Sequence, residues 1–329
     1  MAKASLDIRY SSCGKAFLAR RGVLLLCMLT LTLGHAALAA SGEEEHTVEL
    51  PASQDAASDS TSAAAAPEND DKALSKEELA LKLANPTAPI MTIVNNFDYI
   101  AYDGDLDGAS DQSAFRFVNQ TVLPFKMGGN RTLFFRPAIP VLFSEPVPSG
   151  NGFRSVGTDL GDIGFDLSYG ATEKSGFLWA LGIAGTLPTA PASRVGKDLW
   201  GLGPEVILGY IQKWGLVGGV LSHQWDMGGS GQGEIDITSF NYFYGFQLGG
   251  GWQIAAGPTI SYDHTRDSSN RWTVPLGIGL SRTQVLGGRP WKFQLQYWNY
   301  VEKPDAFGPE HQLRLSINPV VTAPWNEGK

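Results

Sequence analysis

Hydrophobic and polar side chains alternate along most of the chain, most regularly in WKFQLQYWNY at residues 291–300. Successive side chains of an extended strand point to opposite faces, so this stretch predicts a strand with one apolar and one polar face. The apolar face carries Trp291, Phe293, Leu295 and Tyr297. The alternation returns roughly every twenty residues, the length of a tilted membrane-crossing strand with half of a hairpin connection.

Counting these stretches predicts about twelve strands, joined alternately by short Gly-rich turns and longer polar loops. They span residues 92–102, 113–125, 131–143, 160–171, 177–187, 200–212, 216–225, 238–248, 252–263, 272–283, 291–300 and 311–320. A long loop is predicted at 144–159, and a bulge or bend at Pro137 and Pro140, because proline cannot donate to a strand ladder. The predicted fold is all-β: an antiparallel, up-and-down transmembrane β-barrel over residues 86–329.

A soluble β-sandwich is the alternative fold, with the aromatic residues in its core. A sandwich does not explain why three features occur together: a secretory signal, alternating short and long connections, and the absence of cysteine from the mature chain. We therefore expect the aromatic residues near the strand ends to lie at the two membrane interfaces.

The first 39 residues have the three parts of a secretory signal peptide. Arg20 and Arg21 close a basic region, residues 23–33 are apolar, and Ala37 and Ala39 are the small residues that favour cleavage after residue 39. The apolar run is shorter than the about 20 residues that a membrane-spanning helix requires. No longer apolar run follows it, so a mature chain in a membrane has to enter it as a closed barrel.

Composition narrows the possible partners. The chain carries 33 acidic against 25 basic residues, and removal of the signal peptide makes this balance more acidic. That argues against nucleic acid as a partner, because nucleic acid binds proteins with a basic surface. Cys13 and Cys27 both lie in the predicted signal peptide, so the mature chain would have no disulfide and no thiolate metal site.

Residues 40–85 are predicted to form an acidic disordered linker, because Ala, Ser, Asp, Glu and Pro dominate its first part. A short helix is predicted at 75–84, where Ser75 and Glu78 have the spacing of a capping box and Pro86 follows the end. We expect a linker helix with little tertiary packing. Docking on the periplasmic mouth, plugging the lumen and contacting a partner are the alternatives.

The polar face of the predicted strands carries eight charged residues and two glutamines. They are Asp98, Arg116, Arg136, Asp166, Glu205, Asp263, Lys292, Arg314, Gln294 and Gln296. A charge facing lipid costs about 2–4 kcal/mol at the membrane midplane, so we expect these side chains to line the lumen. They either select solutes by charge or pair across a narrow barrel as a packed polar core.

The acidic loop after the first strand resembles the opening of a calcium-binding loop. It contains Asp103, Asp105, Asp107 and Asp111. The glutamate that closes such a loop is absent, because Ala114 occupies its position. We therefore predict an exposed acidic loop, no resident metal and no cofactor.

Ser222 and His223 are the residue types that an outer-membrane lipase or deacylase uses. Adjacent residues of a strand point to opposite faces, so the serine cannot hydrogen-bond to the histidine as nucleophile to base without a bulge. We predict that the protein is not an enzyme.

Eight stretches of the barrel region are similar to a known family. They are NPTAPI (85–90), NNFDY (95–99), FRPAIPVLF (135–143), DLGDIGFDLSYG (159–170), SHQWD (222–226), GPTISYDH (257–264), LGGRPWKFQLQYW (286–298) and PDAFGPEHQLR (304–314). Together they resemble a large family of bacterial outer-membrane β-barrel proteins named for the meta-pathway of phenol degradation, whose members are sometimes labelled neuromedin U in genomes. The resemblance covers about residues 85–322.

This resemblance implies a channel or transporter for small compounds, aromatic ones among them, in the outer membrane of a Gram-negative bacterium, with the N-terminal tail in the periplasm. The expected partners are outer-membrane lipid and lipopolysaccharide, a small-molecule solute and the barrel assembly machinery. A structural or partner-binding barrel with a plugged lumen is the alternative, and a lipase or deacylase is the third reading. The family offers no established catalytic residues that could be transferred to this chain.

Overall fold

The computed structural model describes residues 75–326 except 151, 192–194 and 232. The predicted signal peptide and the acidic linker up to residue 74 lie outside these residues. The strands are β1 (Met91–Thr92), β2 (Asn95–Asp103), β3 (Ser113–Gln120), β4 (Leu123–Lys126), β5 (Arg131–Ser149), β6 (Gly152–Val156), β7 (Asp159–Leu160), β8 (Ile163–Thr172), β9 (Phe177–Leu187), β10 (Leu199–Gln212), β11 (Gly215–Gly229), β12 (Asp236–Gly249), β13 (Trp252–Ala256), β14 (Thr259–Asp263), β15 (Trp272–Leu286), β16 (Arg289–Glu302) and β17 (Gly308–Val321). The helices are α1 (Lys76–Ala84) and the short 3-10 turns Ala109–Asp111, Ser268–Asn270 and Pro324–Asn326.

The strands form one antiparallel sheet that closes on itself. β17 pairs with β2, with Leu315 opposite Phe97, and this pairing joins the two ends of the sheet. β1 with β2, β3 with β4, β7 with β8 and β13 with β14 are each the two parts of one interrupted strand, whereas β6 pairs only with the end of β5. The barrel therefore has 12 strands, which confirms the predicted fold class and count.

The interruptions near the prolines lie in neighbouring strands rather than in β5 itself. β5 runs without a break through Pro137 and Pro140, where the sequence predicted a bulge or bend. Its neighbours are interrupted instead, at 121–122 and at 161–162. A proline offers a carbonyl but no N–H to the adjacent strand, so the neighbours lose ladder bonds. The carbonyl of Pro140 still accepts a hydrogen bond from the N–H of Gly161 at 3.0 Å.

The ninth predicted strand is also divided, into β13 and β14, which leaves a gap in the ladder with β15. Tyrosine hydroxyls from β12 bond to β15 beside this gap. Tyr242 donates to the carbonyl of Pro275 at 3.0 Å, and Tyr244 donates to the carbonyl of Gly277 at 2.8 Å. These bonds satisfy carbonyls that the interrupted strand leaves without a ladder partner.

The prediction of a long loop at 144–159 is wrong. β5 continues to Ser149, and β6 folds back against it as a hairpin. The hydroxyl of Tyr102 donates to Glu145 at 2.7 Å and fixes the hairpin to β2. The hairpin contains Pro146, and a proline is tolerated where a strand has a partner on one side only.

The two ends of the barrel have different connections. One end has short turns, including Gly287-Gly288 with φ of 58° and 77°, a two-residue hairpin turn that needs positive φ at both positions. α1 and Pro324–Asn326 also lie at this end. We call it the turn end, and we call the opposite end, with the longer connections 104–112 and 264–271, the loop end.

The outer face of the barrel is apolar and exposed. It includes Leu181, Leu208, Leu221, Leu276, Ile278, Leu295 and Leu315. Leu276 is 56% and Ile278 60% exposed, and a continuous apolar surface of this kind is typical of contact with lipid. Exposed tryptophans, among them Trp200, Trp225 and Trp272, lie near the strand ends, as aromatic residues do at membrane interfaces. Within the described residues, no α-helix has both the length and the apolar character to cross a bilayer.

The helix α1 begins at the predicted capping box. The hydroxyl of Ser75 accepts from the N–H of Glu78 at 3.1 Å, and the Glu78 carboxylate accepts from the N–H of Ser75 at 2.9 Å. Ala80 is fully buried and Leu79 is 9% exposed. The expectation of a helix with little packing is therefore wrong.

α1 crosses the turn end of the barrel from one wall to another. At its start, the Glu77 carbonyl accepts from the side chain of Gln247 on β12 at 3.0 Å. The backbone amides of Glu77 itself and of Gly250 hold the pKa of the Glu77 carboxyl below its usual value. At its other end, Ala84 packs against the buried cluster around Phe134 on β5. The helix is about 13 Å long at 1.5 Å per residue, so it spans much of the interior.

Candidate functional site

Asp98 is the centre of the first charged group in the barrel interior. Arg314 donates to both of its carboxylate oxygens, from Nε to Oδ1 at 2.7 Å and from Nη2 to Oδ2 at 2.8 Å. Arg116 approaches the same carboxylate at 3.9 Å, and Asp98 is 1% exposed. The guanidinium of Arg314 also lies 4.5 Å from the ring centroid of Trp298. Pairing of β2 with both β3 and β17 brings these charges together and lets them compensate one another.

Arg136 is the centre of a second charged group. Its Nε donates to Asp166 at 2.7 Å, and its Nη2 lies 3.7 Å from Glu205. Glu205 also accepts from the hydroxyl of Ser168 at 2.8 Å. Gly182 leaves room for this arrangement, since a Cβ there would collide with the Ser168 hydroxyl. The guanidinium of Arg136 therefore pairs with two carboxylates, one from β8 and one from β10.

Lys292 lies near the two glutamines of the predicted polar face, but it has no acidic partner. It is 8% exposed, and among the described residues no carboxylate lies within ion-pair distance of it. Gln294 donates to the carbonyl of Ala255 at 2.9 Å, and Gln296 accepts from the N–H of Gly257 at 3.1 Å. The glutamines therefore bond to the interrupted β13–β14 strand, and Lys292 has no acidic partner among the described residues.

A cavity of 230 Å³ lies between α1 and the inner wall at the turn end. Lys82, Arg136 and Lys292 line it together with the amides of Asn241 and Asn318. Lys82 is on α1, so the N-terminal segment contributes directly to the interior surface. Apolar side chains, among them Ile90 and Phe243, make up much of the remaining lining, and none of the described residues that line the cavity is acidic.

Asp263 lies at the loop end, apart from the other predicted residues. Its carboxylate accepts from Thr265 at 2.6 Å and from Arg266 at 2.9 Å. It lines a second cavity, of 290 Å³, together with Arg271 and Phe307. The eight predicted charged residues thus fall into two inter-strand charge groups, one unpaired lysine and one aspartate at the loop end.

The two other chemical candidates are not assembled into sites. Asp103 pairs with Lys303 at 2.9 Å, and the aspartates of its loop do not converge on a common metal position in the described structure. Ser222 lies opposite Glu205 in the β10–β11 pairing, and the adjacent His223 points to the other face of the strand.

Sequence reasoning missed the aromatic members of the interior. Trp298 donates from Nε1 to Gln296 at 3.0 Å, and Tyr300 donates to Gln312 at 2.7 Å. Both residues continue the face that starts at Lys292, two positions apart, so strict alternation could have found them. From the sequence, neither residue was assigned to a face.

No protein-family model and no curated protein matches this chain. Among solved structures, the chain is similar to the COG4313 outer membrane channel from Pseudomonas putida F1, at 14% identity and a TM-score of 0.53, over 70% of this chain and 96% of that one. It is also similar to the outer membrane phospholipase A from Escherichia coli, at 11% identity and a TM-score of 0.36, over 76% of this chain and 99% of that one. A third is the CymD monoaromatic hydrocarbon channel, at 11% identity and a TM-score of 0.39, over 73% of this chain and 92% of that one. The first of these likenesses establishes that the chain has the fold of an outer membrane β-barrel.

Proposed function

We propose that the protein is a channel in the outer membrane of a Gram-negative bacterium and passes small solutes through its interior. The observation that carries this proposal is the division of a closed barrel into an exposed apolar exterior and a charged interior that contains cavities. A barrel satisfies its backbone groups internally, so it can cross lipid without a helix. Short turns of such barrels face the periplasm, so we infer that the turn end and the N-terminal tail lie on that side.

The interior favours small solutes that are anionic or aromatic. Lys292 and Lys82 bring positive charge to the cavity at the turn end, and the Lys292 charge has no acidic partner among the described residues. Trp298 places an aromatic ring in the wall of the same interior, where it is buried against Arg314. The resemblance to the phenol-degradation family agrees with aromatic solutes, and an aromatic carboxylate would use both features.

Replacing Lys292 tests the charge preference. The purified protein is expected to form conducting channels in planar lipid bilayers, and Lys292→Gln is expected to lower the ratio of anion to cation permeability, because it removes an uncompensated positive charge from the interior. The measurement is the reversal potential in a salt gradient.

Lys213→Gln is the matched control, because Lys213 is exposed in the turn between β10 and β11. Its permeability ratio should equal that of the unsubstituted protein. An unchanged ratio in Lys292→Gln would contradict the charge preference, and an inserted protein that never conducts would contradict the channel itself.

The second candidate is a structural or partner-binding barrel with a filled interior. The position of α1 across the turn end favours it, as does the compensation of Asp98 and Arg136 within inter-strand groups. A catalytic activity is not proposed, because Ser222 and His223 point to opposite faces of β11. Conductance separates the two candidates, since a filled barrel is silent.

Charged substitutions on neighbouring residues of β16 test the membrane assignment. Leu295 is 41% exposed on the outer face, and Leu295→Arg is expected to destabilise the barrel in lipid by about 2–4 kcal/mol. The measurement is urea-induced unfolding in lipid vesicles. Gln294→Arg introduces the same side chain one residue away on the inner face, so it should cost much less. Equal losses for the two variants would argue against lipid contact on the outer face.

A further inference from the structure

Two histidines and an aspartate meet on the outer face of the barrel at its loop end. His223 on β11, Asp236 at the start of β12 and His264 just after β14 each offer one ligand atom, and these atoms lie within 4.8 Å of one another. The three strands are neighbours in the sheet, so the cluster joins them side by side. We propose that this cluster binds a zinc ion.

Two atoms of the cluster are buried without a hydrogen-bond partner in the part of the chain that the structure describes. They are Nε2 of His223 and Oδ1 of Asp236, and they lie 3.3 Å apart. A buried polar atom without a partner is unfavourable. Two ligands placed tetrahedrally at about 2.0–2.1 Å from zinc are themselves about 3.3 Å apart. One ion between these two atoms therefore fits their separation and satisfies both.

Thr238 is the positioning residue of the site. Its hydroxyl oxygen lies 2.8 Å from Nδ1 of His223 and 2.9 Å from Nε2 of His264. When both nitrogens donate their protons to this oxygen, the opposite nitrogens, Nε2 of His223 and Nδ1 of His264, are unprotonated and able to bind metal. Histidine ligands in metal sites are commonly held in this way by a hydrogen bond to the second ring nitrogen.

Neighbouring aromatic rings restrict the two imidazoles. The Trp225 ring lies 4.2 Å from the ring of His223, and the Tyr262 ring lies 4.6 Å from that of His264. His264 is exposed on the connection to β15, so it can close onto the other two ligands from the solvent side. The ligands are therefore preorganised on one side and accessible on the other.

The ligand types select the ion. Two imidazoles and one carboxylate match zinc, whereas calcium and magnesium take oxygen ligands. Three protein ligands leave a fourth position for water. The ion would tie β11, β12 and the connection after β14 together at the rim of the barrel, on the opposite face of the wall from the proposed channel.

Zinc binding by full-length mature protein in detergent, prepared without a polyhistidine tag and stripped with a chelator, tests this site. Isothermal titration with zinc chloride is expected to give one ion per chain and a raised melting temperature, because an ion bound to the folded state stabilises it. His223→Gln and His264→Gln are each expected to lose this binding. Thr238→Val is expected to weaken zinc binding about 10–100-fold. Thr238→Ser keeps the hydroxyl, so this variant should bind zinc as the unsubstituted protein does.

His311→Gln is the matched control. His311 is an outer-face histidine beside Glu310, at 3.8 Å, and lies away from the cluster. This variant should bind zinc as the unsubstituted protein does. Gel mobility before and after boiling verifies that every variant is a folded barrel. Absence of zinc binding by the folded unsubstituted protein, or undiminished binding by folded His223→Gln, overturns the proposal, and neither result bears on channel activity.

Discussion

Replacing Asp98 with alanine is expected to destabilise the folded barrel by about 3–5 kcal/mol, the cost of leaving a buried charge without its partner. Asp98 is 1% exposed and compensates Arg314 through two short hydrogen bonds, with Arg116 nearby. Its removal leaves two guanidinium groups facing each other inside the barrel. Urea-induced unfolding in lipid vesicles measures the loss.

Two further variants make this expectation specific. Asp105→Ala removes an exposed aspartate from the neighbouring loop and should change the stability little. Asp98→Ala combined with Arg314→Ala should cost less than the two single losses added together, because each single variant leaves the other charge unpaired. Strictly additive losses would show that Asp98 and Arg314 do not stabilise each other.

A disulfide that fixes α1 to the barrel wall is expected to abolish most of the conductance. A Cβ at Gly251 would lie 3.4 Å from the Cβ of Lys76, close to the about 3.5–4.5 Å that joins the Cβ atoms of a disulfide. The double variant Lys76→Cys, Gly251→Cys can therefore form the bond once the backbone at residue 251 moves away from the carbonyl oxygen of Thr283, with which a Cβ in the present position would collide. Because α1 crosses the turn end, a solute can pass at full rate only when the helix moves, so reduction should restore conductance.

The single variants Lys76→Cys and Gly251→Cys are the controls for this experiment. Gly251 has a φ of 81°, so the cysteine there is strained and folding of that variant has to be verified by gel mobility. Both single variants should conduct equally with oxidant and with reductant. Equal conductance of the oxidised and reduced double variant would indicate that solutes pass beside the docked helix.

Local pattern was sufficient to predict the strands and their two faces. In β16, the alternation from Trp291 to Tyr297 has period two whatever the strand pairs with, and the capping box at Ser75 and Glu78 depends only on residues within one turn. The hairpin made by the end of β5 was missed for the same local reason. Prolines weaken a strand pattern, and the partner that stabilises the hairpin, Tyr102, is distant in sequence.

The sequence by itself determined that this is a barrel, where its strands lie and which side chains face outward, because these follow from residue type and spacing along the strand. The tertiary structure alone decided which inward charges compensate one another, that α1 crosses the interior, and that His223, Asp236 and His264 meet. Those arrangements depend on the register between strands and on closure of β17 against β2, which bring together residues more than two hundred positions apart, such as Asp98 and Arg314. A pattern along one strand carries no information about that register, so it cannot predict the partner of a charge.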